Sequence, residues 1–130
     1  MPSASRIKGR FAHGGVLLIP ISVHGQHFEF LLDTGAAYTA VSREIADLLD
    51  LKTYPDLTLL IAPAQGQTIR VPVATLADLS VGGMHLSNVR VVILEFPDRL
   101  KLDGLLGMNV LRNFRFTIEP DTATLVTRNL

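Results

Sequence analysis

Apolar residues in this chain fall mostly in short runs separated by turn-forming residues, with two stretches at helical spacing. Residues 15–23 (G-V-L-L-I-P-I-S-V) and 27–32 (H-F-E-F-L-L) read as two β-strands around the turn His24-Gly25-Gln26, with Pro20 marking an edge or a bulge. Residues 58–62 and 68–76 predict two more strands around Pro63-Ala64-Gln65-Gly66-Gln67, whose small and turn-forming residues suit an exposed hairpin tip. A further pair, 79–81 and 89–94, flanks Gly82-Gly83, and strands at 114–118 and 124–126 flank Pro120-Asp121. The helical signal begins at Ser42, a good N-cap, after which Ile45, Leu48 and Leu49 recur at i, i+3 and i+4 through Leu51. The 3–4 spacing from Leu106 through Val110 and Leu111 predicts a second short helix. Many short strands with two brief helices predict an all-β barrel or sandwich.

The length of 130 residues fits one domain with one core, and 48% hydrophobic against 18% charged residues marks a globular chain. Twelve basic and twelve acidic residues cancel, which argues against nucleic acid or another polyanion as the main partner. Arg6, Lys8 and Arg10 therefore read as charges on a solvated, flexible N-terminal arm over residues 1–13, leaving 14–130 as the folded domain. The absence of cysteine removes disulfides, thiolate nucleophiles and cysteine-ligated metals. The longest apolar run, residues 16–21, is far shorter than a membrane span, and no apolar stretch follows the first basic residues as in a signal peptide. The expectation is a soluble, cytoplasmic protein with no membrane segment.

Few residues offer chemistry. His24 and His27 bracket a turn without a third ligand nearby, and His13 and His85 are isolated, so no metal site is expected. Gly104 and Gly107 give G-x-x-G, but no Lys-Ser/Thr follows to make a phosphate loop, and no G-x-S-x-G turn is present for a serine nucleophile. What remains is E-F-L-L-D-T-G-A, residues 29–36, where an apolar run ends directly in Asp33. A carboxylate at the rim of a core must be relieved or used. Gly35 permits close backbone approach and its amide can donate to the carboxylate, while Thr34 can donate and accept through its hydroxyl. Asp103 and Asp121 lack this context and read as turn residues.

F-L-L-D-T-G-A together with L-L-G-M-N-V-L at 105–111 resembles the retroviral-type, or retropepsin-like, aspartic proteases, and the stretch from Asp103 to Glu119 is similar to bacterial members and to the related domain of ubiquitin-shuttle proteins. The likeness covers residues 14–128, with the A-P-A-Q-G-Q hairpin in the position of the family's flap. It implies a single-lobe acid-protease β-barrel, active as a homodimer, in which Asp33 is catalytic and Thr34, Gly35 and Ala36 support it. Leu31, Leu105 and the hairpin residues Ala64, Gln65, Gly66 and Gln67 would bind an extended peptide with apolar residues at the cut. No cofactor is implied. One qualifying Asp in the chain supplies half of the two-carboxylate pair, so a second copy must supply the other. The hairpin carries a single glycine where viral members are glycine-rich, which leaves a second reading: a dimeric peptide-binding or regulatory module on the same fold. A third is an unrelated small barrel for an apolar ligand, in which Asp33 is a turn residue.

Overall fold

A computed structural model describes residues 4–62 and 67–130. In chain order the strands and helices are β1 (Ser5–Lys8), β2 (Arg10–Ala12), β3 (Val16–Val23), β4 (Gln26–Leu32), β5 (Thr39–Ser42), α1 (Arg43–Leu48), β6 (Thr58–Ile61), β7 (Ile69–Val81), β8 (Met84–Leu94), β9 (Gly104–Leu106), α2 (Met108–Leu111), β10 (Phe114–Glu119) and β11 (Thr124–Asn129). The larger sheet runs β2-β3-β4-β9-β5-β8-β7-β6, and an additional pairing of β3 with β7 at Ser22↔Ser80 and Val23↔Leu79 closes β3 through β7 into a barrel. The smaller sheet, β1-β11-β10, covers one side. Among the described residues the protein is thus mostly β with two short α-helices, as the strand spacing predicts. No helix among the described residues is long and apolar enough to cross a membrane.

The core follows from the period-2 pattern of the strands. Ile19, Ile21 and Val23 of β3, Phe30 of β4, Leu76, Leu79 and Val81 of β7 and Leu125 of β11 converge in one buried cluster with Leu106, Val110 and Leu111. Pro20 fits this sheet because the stretch around it borders only β4: the pairs with β2 end at Leu18 and those with β7 begin at Ser22. Locally β3 is an edge there, where a missing N–H costs nothing.

Several expectations need correction. Residues 5–12 are not a flexible arm. Ile7 is buried opposite Leu125, β2 pairs with β3, and the charges sit outside: Arg6 grips Glu119, and Arg10 holds Glu29 through two bonds of 2.8 Å. Arg6-Ile7-Lys8 alternates as an edge strand should, but the partner that orders it lies at the other end of the sequence. Residues 68–76 and 79–81 are not two strands but one, β7, because Ala77 and Asp78, which look like a break, stay within the hairpin with β8. The Ala77 amide leaves the ladder and donates to Nε2 of His24 at 3.0 Å, opposite Asn88 with its φ of 54°. Leu106 does not begin a helix: it ends β9, fully buried beside Leu32, and α2 starts only at Met108.

The first helix behaves as its cap predicts. The Ser42 hydroxyl accepts from the Ile45 amide at 3.1 Å. It ends before Leu51, however, where Asp50 takes a φ of 52° and breaks the turn.

Candidate active site

The short strand β9 organises the site. It lies between β4, which runs parallel to it with Leu31 opposite Leu105 and Leu32 opposite Leu106, and β5, which runs antiparallel with Ala40 opposite Leu105. Only glycine fits where these strands meet. A Cβ on Gly104 would stand 2.4 Å from the Ala40 carbonyl oxygen and 2.7 Å from the Phe30 ring. Leu31 and Leu105, expected to line the site, are neighbours across the β4–β9 ladder and both are half-buried. Leu105 packs with Ala40, Val71 and Val92 in a second, smaller apolar cluster, which Leu59 and Ile61 of β6 and Phe96 extend. This cluster connects Leu105 to the two arms of the hairpin that was expected to act as a flap.

Asp33 is the first residue past β4. Its amide donates to the Leu106 carbonyl at 3.0 Å, and its Oδ1 accepts from the Gly35 amide at 3.0 Å. The side chain is half-exposed, and Thr34 and Gly35 are exposed. The Ala36 amide turns back to the Asp33 carbonyl at 3.3 Å. Behind the turn, the amides of Met108 and Asn109 donate to the carbonyls of Ala36 and Ala37 at 2.7 and 3.1 Å, so the start of α2 holds the whole D-T-G-A loop. The Thr34 hydroxyl makes no hydrogen bond among the described residues.

The loop ends in a buried polar knot that the sequence pattern does not disclose. The fully buried Thr39 accepts the Gly107 amide at 3.0 Å and donates from Oγ1 to Oδ1 of Asn109 at 2.9 Å. The same Oδ1 accepts the Thr39 amide at 2.8 Å, and Nδ2 of Asn109 donates to the Arg90 carbonyl at 2.7 Å. Every polar atom of this knot is satisfied, as burial requires. A threonine before an apolar strand carries no chemical signal on its own. Its counterpart Asn109 is detectable only as a weak helix former inside the second motif. Asp103 is a second residue of this kind: its Oδ2 accepts the Glu29 amide at 3.0 Å and its carbonyl the Ser42 amide at 2.9 Å.

The structure therefore brings Asp33, Thr34, Gly35 and Ala36 together with Leu31 and Leu105. Of the hairpin residues, Ala64, Gln65 and Gly66 lie outside the described residues, and Gln67 is exposed just ahead of β7. His24 and His27 stay at the β3–β4 turn, and Asp121 lies in the turn after β10, both apart from this loop.

A barrel with a three-residue inner strand, and an aspartate loop hung on one end of that strand, is the architecture of a single-lobe, retropepsin-like aspartic protease. The solved structure of a retropepsin-like aspartic protease from Rickettsia conorii shares this fold: the two superpose with a TM-score of 0.72 at 24% sequence identity, over 99% of this chain and 94% of that one. A family model described as "gag-polyprotein putative aspartyl protease" matches residues 19–113, and the chain belongs to that family. A comparison with curated proteins returned no match.

Proposed function

We propose that the protein is an aspartic endopeptidase that works as a C2 homodimer, with Asp33 from each copy forming the catalytic pair. The observation that carries this reading is the state of Asp33 itself: a half-exposed carboxylate at the end of an apolar strand, its backbone fixed to Leu106 and one oxygen held by the Gly35 amide. A single D-T-G occurs in 130 residues, so one chain provides one such carboxylate.

As in aspartic proteases generally, two carboxylates a few ångströms apart share one proton, because both cannot ionise against each other. The ionised member takes a proton from a water as its oxygen adds to the scissile carbonyl carbon. The protonated member gives its proton to the carbonyl oxygen. Collapse of the tetrahedral diol then breaks the C–N bond, with a proton passing to the leaving nitrogen. In this scheme Thr34 reaches the partner's loop, and Gly35 and Ala36 hold the carboxylate plane. Leu31 and Leu105 floor the cleft. The apolar cluster around Leu105 supports substrates with apolar residues at the cut, bound in extended form by backbone hydrogen bonds.

The test is cleavage of a diverse peptide pool, from mildly acidic to neutral pH, by the wild type and Asp33→Asn side by side. Cuts made only by the wild type are expected. Cuts by both would overturn the role of Asp33. Cuts by neither, from a folded dimer, would favour the peptide-binding module that the single-glycine hairpin suggests. Sedimentation should give a mass about twice 14.2 kDa at micromolar concentration, and an active monomer would contradict the shared site.

A further inference from the structure

We infer that Asp103 is the positioning residue of the site: its carboxylate sets the register of β9 and, through that strand, the place of the Asp33 carboxylate. The inference rests on the reading of Asp33 as catalytic.

β9 has three residues and neighbours on both sides, so its own ladder supplies few bonds to choose one alignment over the next. A slip of one residue would turn Leu106 out of the core and Leu105 into it. Both ends of the strand are pinned instead. At its far end the Leu106 carbonyl takes the Asp33 amide at 3.0 Å and the Gly107 amide binds Thr39 Oγ1 at 3.0 Å. At its near end the one residue Asp103 binds both neighbours: Oδ2 accepts from Glu29 of β4 at 3.0 Å, and the backbone carbonyl accepts from Ser42 at the end of β5 at 2.9 Å.

Glu29 is the residue that precedes Phe30, the partner of Gly104, so the side-chain bond continues the parallel ladder one step beyond β9. The Glu29 carboxylate is itself held by Arg10, which steadies the donor. At roughly 3.3 Å per residue, Asp103 stands about 10 Å from the Asp33 end of the strand, too far to touch a reacting bond. Its effect must travel along β9.

The test is amide hydrogen exchange on the full chain. Asp103→Ala should speed exchange at the Asp33 and Gly107 amides by about tenfold or more, while the β10–β11 amides, such as those of Thr117 and Val126, keep their rates. Asp103→Asn, which retains an acceptor oxygen, should restore wild-type protection. If Asp103→Ala does not fold, Asp103→Glu displaces the oxygens by one methylene and carries the same comparison.

Unchanged exchange at Asp33, or a rise spread equally over the barrel, would overturn the inference. If the wild type cleaves peptides, kcat should fall about tenfold in Asp103→Ala with KM nearly constant, because a misplaced carboxylate weakens the transition state more than peptide binding. A wild type that cleaves nothing would remove the protease reading, and the exchange result would still decide the role of Asp103.

Discussion

The Asp33 amide and the Leu106 carbonyl lie 3.0 Å apart, and this bond joins the two sequence motifs at the point where the chemistry would occur. The carboxylate of Asp33 extends from a backbone anchored to the fully buried Leu106, while its side chain stays half-exposed. Rigidity comes from the inside and access from the outside.

Replacing that carboxylate tests its chemistry without disturbing its support. In Asp33→Asn the amide oxygen still accepts from Gly35, so unfolding in urea should match the wild type. Peptide cleavage should fall by about a thousandfold or more, the scale of a lost general acid–base group. Residual cleavage near the wild-type rate would assign the activity elsewhere.

The knot behind the loop should be worth more to stability than its surface neighbours. Thr39→Val keeps the shape but leaves the Gly107 amide without its acceptor in a buried place. A loss of about 1–3 kcal/mol is expected, read as a lower urea midpoint with an unchanged slope. Thr39→Ser, which keeps the hydroxyl, should lose less.

Two glycines close to the site should differ sharply. A Cβ on Gly107 would lie 2.5 Å from the carbonyl carbon and oxygen of Tyr38, so Gly107→Ala should cost at least about 2 kcal/mol or prevent folding. At Gly35 the nearest atom is Oδ1 of Asp33, at 3.3 Å. Gly35→Ala should therefore fold and unfold like the wild type while cleaving more slowly, since the contact it tightens is with the carboxylate alone. Circular dichroism and cleavage assays on the two variants separate these outcomes.

The N-terminal strands should loosen in acid. Arg10 beside Glu29, and Arg6 beside Glu119, hold both carboxyl groups below the ordinary glutamate value of 4.5. A carboxyl lowered in the folded state stabilises it above the unfolded value, and that contribution is lost as pH falls from 4.5 through the lowered value. Both pairs are exposed, so the effect is small and salt-sensitive. The urea midpoints of the wild type and Glu29→Gln should differ slightly at neutral pH and converge in acid; a gap that widens in acid would contradict the assignment.

Much of this was legible from local pattern, and the misses share a cause. Ser42 announces α1 through a bond only three residues long, and Asp33 stands out because an apolar run ends on it. Ile7 and Ala77 mislead because their surroundings are settled by partners far along the chain, Leu125 for the first and the His24 ring for the second. Leu106 satisfies a helical spacing yet sits in a strand, since β4, where Leu32 pairs with it, offers a ladder that no window of sequence contains. Asn109 and Thr39 are silent for the same reason: each is ordinary alone and informative only as a pair.

The pairing of Ser5 with Thr127 also sets a clock. During synthesis, residues 5–8 leave the ribosome more than a hundred residues before the strand that gives them a hydrogen-bonded partner. At about 5–20 residues per second, the last sheet of the domain waits on the order of ten seconds for its middle member. Contacts of such long range also slow folding once the chain is free. A nascent chain therefore cannot complete this domain until β11 has emerged, which delays the fold on which any proteolytic activity depends until translation of the domain is finished.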